Sequence, residues 1–180
     1  CGGAGTWMSV QRLLQQASAG NAASPTYVDD VFSSFLWKGD SSGSRSINNG
    51  IDLSGEGGLV WIKGRNSSYD NGLYDTVRGA TKELYSNKYD VSSTNSNALT
   101  SFNSNGFSIG AGPIVNNNLD SYVAWSFRKQ NKFFDIVSWT GDGTTGRQIS
   151  HNLGSVPGMV LVKDLGNTQS WYVYHVSAGA

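Results

Sequence analysis

Gly39-Asp40-Ser41-Ser42-Gly43 places a serine at the centre of G-x-S-x-G, the pattern by which many hydrolases expose a nucleophilic hydroxyl. That chemistry needs a strand, a sharp turn, and then a helix whose N-terminus helps to build the oxyanion site. Here Ser44-Arg45-Ser46-Ile47 follows and reads as the next strand, so the motif is expected to be a hairpin turn. The two histidines, His151 and His175, are the candidates for a general base. No H-x-x-x-H spacing or neighbouring carboxylate cluster accompanies them, so neither is expected to bind metal. Gly55-Glu56-Gly57-Gly58 and Gly110-Ala111-Gly112-Pro113 have the glycine content of a phosphate cradle. Neither is expected to link a strand to a helix, which such a cradle requires, and both read as loops. Asn66-Ser67-Ser68 fits the N-glycosylation pattern, which matters only in a secreted eukaryotic protein. Asp29-Asp30 reads as a solvated edge before the first strand. Trp37, Trp61, Trp125 and Trp139 sit inside strand patterns and are expected in a core. Trp171, Tyr172 and Tyr174 alternate near the end of the sequence, where exposed rings of these types would stack on sugars.

An internal repeat sharpens these readings. Trp37-Lys38-Gly39-Asp40 matches Trp139-Thr140-Gly141-Asp142 at an offset of 102 (from 37 to 139). The same offset pairs Phe32 with Phe134, Arg45 with Arg147 and Ile47 with Ile149. After a two-residue deletion the offset is 100 (from 58 to 158). Gly58-Leu59-Val60-Trp61-Ile62-Lys63 then lies on Gly158-Met159-Val160-Leu161-Val162-Lys163, Tyr74 on Tyr174 and Gly79-Ala80 on Gly179-Ala180. The counterpart of Ser41 is Gly143, of His151 Asn49, and of His175 Asp75. No hydroxyl or imidazole is kept at these positions across the copies, which argues against catalysis by any of them. The second copy aligns as far as Ala180, whereas the first continues from Thr81 to Phe127. The expectation is either a longer protein with further repeats or a half-unit completed by another chain.

The elements that would position such residues are mostly strands. Phe32–Trp37, Leu59–Lys63, Tyr122–Phe127, Phe133–Trp139, Gly158–Lys163 and Trp171–His175 are short aromatic and β-branched runs between Gly, Asn, Asp and Ser clusters. In Tyr122–Phe127 the residues Val, Trp and Phe share one face and Tyr, Ala and Ser the other, a period of two that suits a half-buried strand. Val77–Leu84 is the only helix candidate within the repeat. The fold class expected is all-β, with tandem antiparallel sandwich units, jelly-roll-like, after a short N-terminal helix. Val10, Leu13, Leu14 and Ala17 fall on one face of that helix. A helix this short needs a partner surface. It packs on its own domain, joins a bundle with symmetry mates, or anchors in a larger particle. The organisation expected is residues 1–25 as helical anchor and linker, 26–130 as a first β-domain, and 131–180 as the start of a second. Met8 would make an ordinary start, so Cys1–Trp7 reads as an upstream extension.

Composition narrows the function classes. With 13 Lys+Arg against 13 Asp+Glu there is no basic excess to attract nucleic acid. Cys1 is the sole cysteine, so no disulfide framework or cysteine-based metal site is expected. No apolar run approaches the roughly 18 residues of a membrane span, and Cys1–Gly5 lacks the charged and apolar regions of a signal peptide.

Gly57–Lys63, Ile149–Lys163 and Trp171–His175, with Trp139-Thr140-Gly141-Asp142-Gly143 ahead of them, resemble a repeat of marine phage proteins. That repeat typically reads "YTGNG…HnLG-vP-mviVK…W-VYH". Phe102–Gly110 followed by Tyr122–Phe127 also fits it. The repeat is a domain of unknown function common in tail-fibre-like and other virion structural proteins, of cyanophages especially. Asp142 stands where many members have Asn, a turn substitution. The resemblance implies a virion component with no catalytic residues and no cofactor. The expectation is a tail-fibre-like protein, docked or trimerised through residues 1–25, with β-units projecting to a host glycan or protein. A head decoration or minor capsid protein is the alternative, and an enzyme such as a depolymerase the third reading.

Overall fold

The computed structural model describes residues 26–179. The predicted helix, with the partner-binding candidates Val10, Leu13, Leu14 and Ala17, lies outside the described residues. What is described is all-β and antiparallel. Eleven strands run in chain order as β1 (Phe32–Lys38), β2 (Arg45–Asn48), β3 (Gly58–Gly64), β4 (Gly72–Asp75), β5 (Lys82–Tyr85), β6 (Ser93–Thr94), β7 (Leu99–Asn103), β8 (Gly106–Ile109), β9 (Ser121–Arg128), β10 (Met159–Val162) and β11 (Tyr172–His175). Two single-turn helices, α1 (Val28–Val31) and α2 (Pro113–Asn116), interrupt them. In one sheet the order is β1-β9-β3-β4-β5-β6, in a second β2-β8-β7, and β10-β11 forms a separate hairpin.

The two larger sheets pack face to face as a sandwich. Val60, Ile62, Tyr74, Tyr122 and Ala124 from one meet Ile47, Leu99, Phe107 and Ile109 from the other, with Ile51, Leu53 and Val115 from the connections. Burying a large apolar side chain stabilises by about 1.5–3 kcal/mol, so this cluster is the main source of stability in the first copy. Trp37 stacks on Tyr122 with ring centroids 5.4 Å apart. Its indole N–H donates to the Val115 carbonyl at 3.1 Å, which ties β1 to α2.

β9 holds the larger sheet together. It pairs with β1 from Phe32↔Phe127 to Lys38↔Ser121, and with β3 from Gly58↔Arg128 to Gly64↔Tyr122. The face that it turns to the core carries Tyr122, Ala124 and Ser126, all fully buried, and not the Val-Trp-Phe face. On that face the Ser126 hydroxyl accepts the Asn49 side-chain amide at 2.8 Å. Trp125 lies on the outer face against Trp61, with centroids 5.6 Å apart. Of the four tryptophans expected in the core, Trp37 is there, Trp61 and Trp125 are part-buried on the opposite face, and Trp139 is exposed.

Several other expectations are corrected. Val77–Leu84 is a turn running into β5, because Gly79 (φ 92°) and Thr81 (φ 65°) hold left-handed backbone that an α-helix cannot accommodate. Gly39–Gly43 is not a hairpin turn, since β1 and β2 belong to different sheets and the loop crosses between them. Gly110–Pro113 does link a strand to a helix, β8 to α2. Its glycines answer to packing: a Cβ on Gly110 or Gly112 would sit 2.7 Å or 2.6 Å from the Asn97 carbonyl oxygen. Phe133–Trp139 forms no strand; only Phe134 makes a bridge, to Gln130. Among the described residues no helix is long and apolar enough to cross a membrane.

Candidate functional site

Three polar contacts of the loop after β1 recur in the second copy. Asp40 Oδ1 accepts the Ser42 backbone N–H at 2.9 Å, and Asp142 Oδ1 accepts that of Thr144 at 2.9 Å. Arg45 Nη1 donates to the Lys38 carbonyl at 2.6 Å and meets Asp40 Oδ2 at 3.1 Å. Arg147 Nη1 donates to the Thr140 carbonyl at 2.6 Å and meets Asp142 Oδ2 at 3.1 Å. In the first copy Asn116 of α2 adds its amide to Asp40 Oδ1 at 2.9 Å and accepts the Asp40 N–H at 3.2 Å. The Ser42 N–H and hydroxyl, with Asn116, hold the Asp40 carboxyl down at about 2. Asp142 is also lowered, first by the Thr144 N–H and hydroxyl.

This arrangement stiffens a turn and does not activate a nucleophile. Ser41 has φ 54° and Gly143 φ 75°, so both copies need left-handed backbone there and glycine meets the need most cheaply. No helix follows Ser41, and no hydrogen bond joins its hydroxyl to a histidine.

Both histidines make backbone turns. His151 Nδ1 accepts the Leu153 N–H at 3.2 Å, as Oδ1 of its counterpart Asn49 accepts the Ile51 N–H at 3.2 Å. His175 Nδ1 accepts the Ser177 N–H at 3.2 Å, as Oδ1 of Asp75 accepts the Val77 N–H at 3.0 Å. Each imidazole thus takes the place of an Asn or Asp oxygen two residues before the N–H it receives. Among the described residues no group of His, Cys, Asp and Glu could hold a metal ion. Gly55–Gly58 leads into β3 and no helix, and Asp29-Asp30 falls in α1, where Asp30 Oδ2 accepts the Tyr27 N–H at 2.8 Å.

The first copy also contains a polar cluster that sequence reasoning missed. Glu83, on the core side of β5, is 2% exposed and accepts the hydroxyls of Tyr74 and Tyr85, each at 2.5 Å. Burial, then the adjacent Glu83 carboxylate, raise the Tyr74 phenol well above its ordinary range, so it stays protonated and keeps donating. Next to it Arg78 closes on Asp75 and donates to the Leu73 carbonyl at 2.9 Å. The persistence of tyrosine at 74 and 174 was the one available signal. Glu83, Tyr74 and Asp75 are buried, Tyr85 and Arg78 half-buried, and the cluster braces β4 against β5. An open groove of about 610 Å³ lies between Leu53–Gly57, Thr76–Val77 and Thr100–Phe102, with Lys129 also lining it. It carries one carboxylate, Glu56, and one ammonium, Lys129, but no paired nucleophile and base.

The second copy presents a surface of another kind. β10 and β11 pair from Met159↔His175 to Val162↔Tyr172, the register of β3 and β4 from Leu59↔Asp75 to Ile62↔Gly72 shifted by the repeat offset. The hairpin is the same but its environment is not. Val60 is fully buried, whereas Val160, Leu161, Tyr172 and Val173 are exposed. Trp171 anchors the hairpin to the first copy by donating to the Tyr85 and Lys88 carbonyls at 3.1 Å and 3.0 Å. Asp135 secures the junction with Lys129 at 3.1 Å and the Asn152 N–H at 2.7 Å. The Trp171-Tyr172-Tyr174 stripe therefore divides: Trp171 is engaged within the chain and Tyr172 faces solvent.

What the geometry shows is a loop and a hairpin that recur along the chain, with apolar residues exposed on the second hairpin. Residues 28–180 match the family model of a domain of unknown function, DUF7483, and the chain belongs to that family. Comparison with the curated proteins and with the solved structures gives no match.

Proposed function

We propose that this protein is a bacteriophage virion structural protein of tail-fibre type. Its N-terminal segment attaches to the particle, and its β-units project to bind a host surface. The reading draws its viral context from the resemblance of Trp139–Gly143, Ile149–Lys163 and Trp171–His175 to the phage repeat. The observation that carries it is the return of one loop and one hairpin, in one register, along a single chain. A string of identical modules multiplies weak contacts, because each further engagement is intramolecular. The bracing of Asp40, Glu83 and the histidines within the fold supports a binding role over a catalytic one. A homotrimer joined through residues 1–25 would present three such strings side by side.

Cryo-EM of the phage that encodes the chain tests this reading. Density for the sandwich on the tail, extending outward, is the expected result. Density matched to the capsid lattice would make it a head decoration protein, and absence from the particle would refute the virion assignment.

A further inference from the structure

We infer that the β5–β6 connection of the first copy is a receptor for Trp171, and that the two form a joint holding the copies at one fixed angle. Units linked in one chain ordinarily move relative to each other unless an interface holds them. The inference rests on the repeat and is independent of the virion reading.

Contacts within the first copy shape the receptor. The Asn71 N–H donates to Asn87 Oδ1 at 2.9 Å, and the Asn87 amide donates to Asp70 Oδ1 at 2.9 Å. Asp70 Oδ2 holds the Lys88 ammonium at 2.8 Å, and that ammonium lies 5.3 Å from the centroid of the Tyr85 ring. The chain is thereby folded back so that the Tyr85 and Lys88 carbonyls converge. The Trp171 indole N–H donates to both, at 3.1 Å and 3.0 Å, and a donor shared by two acceptors is fixed in direction as well as distance. The Ser92 N–H donates to the Leu165 carbonyl at 3.1 Å, so the β10–β11 connection is gripped at two points.

A second attachment lies at the link after β9. There the Asp135 carboxylate meets Lys129 at 3.1 Å and the Asn152 N–H at 2.7 Å, and the Lys132 N–H donates to the Leu153 carbonyl at 2.7 Å. Three strand spacings separate β9 from β5 in the sheet, so the two attachments stand roughly 14 Å or more apart. One attachment alone would leave a swivel; two at that separation do not. The repeat offsets place Asn71 opposite Trp171 and Ser33 opposite Asp135. The turn Asp and Arg and the tyrosine at 74 and 174 are kept in both copies, while these two positions change. A residue that only folds the unit serves both copies alike, whereas a residue that joins the copies is needed in one.

The test places spin labels on Asn48→Cys and Val173→Cys, exposed positions in separate copies, in a chain carrying Cys1→Ser. Double electron–electron resonance should give one narrow distance distribution. Trp171→Asn with Asp135→Ser, which installs the first-copy residues, should widen it at least about twofold. Asp70→Ala, which frees Lys88 and Asn87 without touching the second copy, should widen it as well. Amide exchange across β3, β9 and β10 should stay as slow as in the unaltered chain. A broad distribution in the unaltered chain, or an unchanged width in the double variant and Asp70→Ala, would overturn the proposal. So would loss of β10–β11 protection in Trp171→Asn, which would make Trp171 a prop of its own hairpin.

Discussion

Phe32–Lys38 and Phe134–Thr140 share Phe at the first position and Trp at the sixth, and both lead into Gly-Asp, yet the first is a strand and the second is not. The hairpins behave in the opposite way: β3-β4 and β10-β11 form in the same register in both copies. The difference lies in where each strand finds its partner. A hairpin partner is next in sequence, so its ladder closes locally. β1 bonds only to β9 and β2 only to β8, and the counterparts of β8 and β9 are not among residues 131–180. A strand is a relation between two segments, and residue type makes a segment eligible without making it extended.

Paired substitutions at equivalent positions would break or sharpen this contrast. The largest effect is expected at the buried half of the hairpin. Ile62→Ala should lose about 2–4 kcal/mol in urea unfolding, by lost burial and a residual cavity. Val162→Ala should lose under about 1 kcal/mol, because no second sheet covers it; equal losses would mean that both hairpins share one kind of core. Next comes Tyr74→Phe, which leaves the buried Glu83 with one donor fewer and should cost about 1–3 kcal/mol. Tyr174→Phe should be close to neutral by the same measurement.

A smaller effect should appear in titration. Asp40 and Asp142 occupy the same turn, but Asn116 serves Asp40 alone. By carboxyl NMR Asp40 should titrate near 2, and Asn116→Ala should move it upward while leaving Asp142 in place. Because the folded-state pKa is depressed, the stabilisation that Asp40 contributes is complete above its unfolded value of 3.8 and disappears as pH falls through about 2. An unmoved Asp40 would show that the Ser42 donors suffice. The smallest change is expected for Ser41→Gly, which installs the residue of the second copy at a left-handed position. Relief of backbone strain and the greater freedom of the unfolded chain oppose each other there, so thermal stability should shift by less than about 1 kcal/mol.

The legibility of the sequence followed the same division. The fold class, β1, β3, β9 and both strands of the second hairpin could be read, because each is an apolar run bounded by turn formers. The recurring Asp and Arg were visible as well, though not their hydrogen bonds. Val77–Leu84, the one helix candidate within the repeat, holds left-handed backbone at Gly79 and Thr81 and runs into β5, whose Glu83 is buried because Tyr74 and Tyr85 satisfy it. Residue type puts Trp125 in a core, whereas the core side of β9 is the face of Tyr122, Ala124 and Ser126. A Cβ on Gly39 or Gly58 would meet the carbonyl of Asn117 or Phe127, and that backbone comes from residues far along the chain.

The late position of β9 has a consequence for synthesis. The ribosome delivers β1 and β3 well before the strand that lies between them, and at roughly 5–20 residues per second that wait lasts seconds. During this time both segments offer unpaired backbone edges and apolar side chains to the surrounding solution. A polypeptide made of many such modules repeats this exposure once for each module, so its yield would depend on crowding and on chaperone supply as much as on final stability. Circular permutants that bring β9 out first would shorten the vulnerable interval.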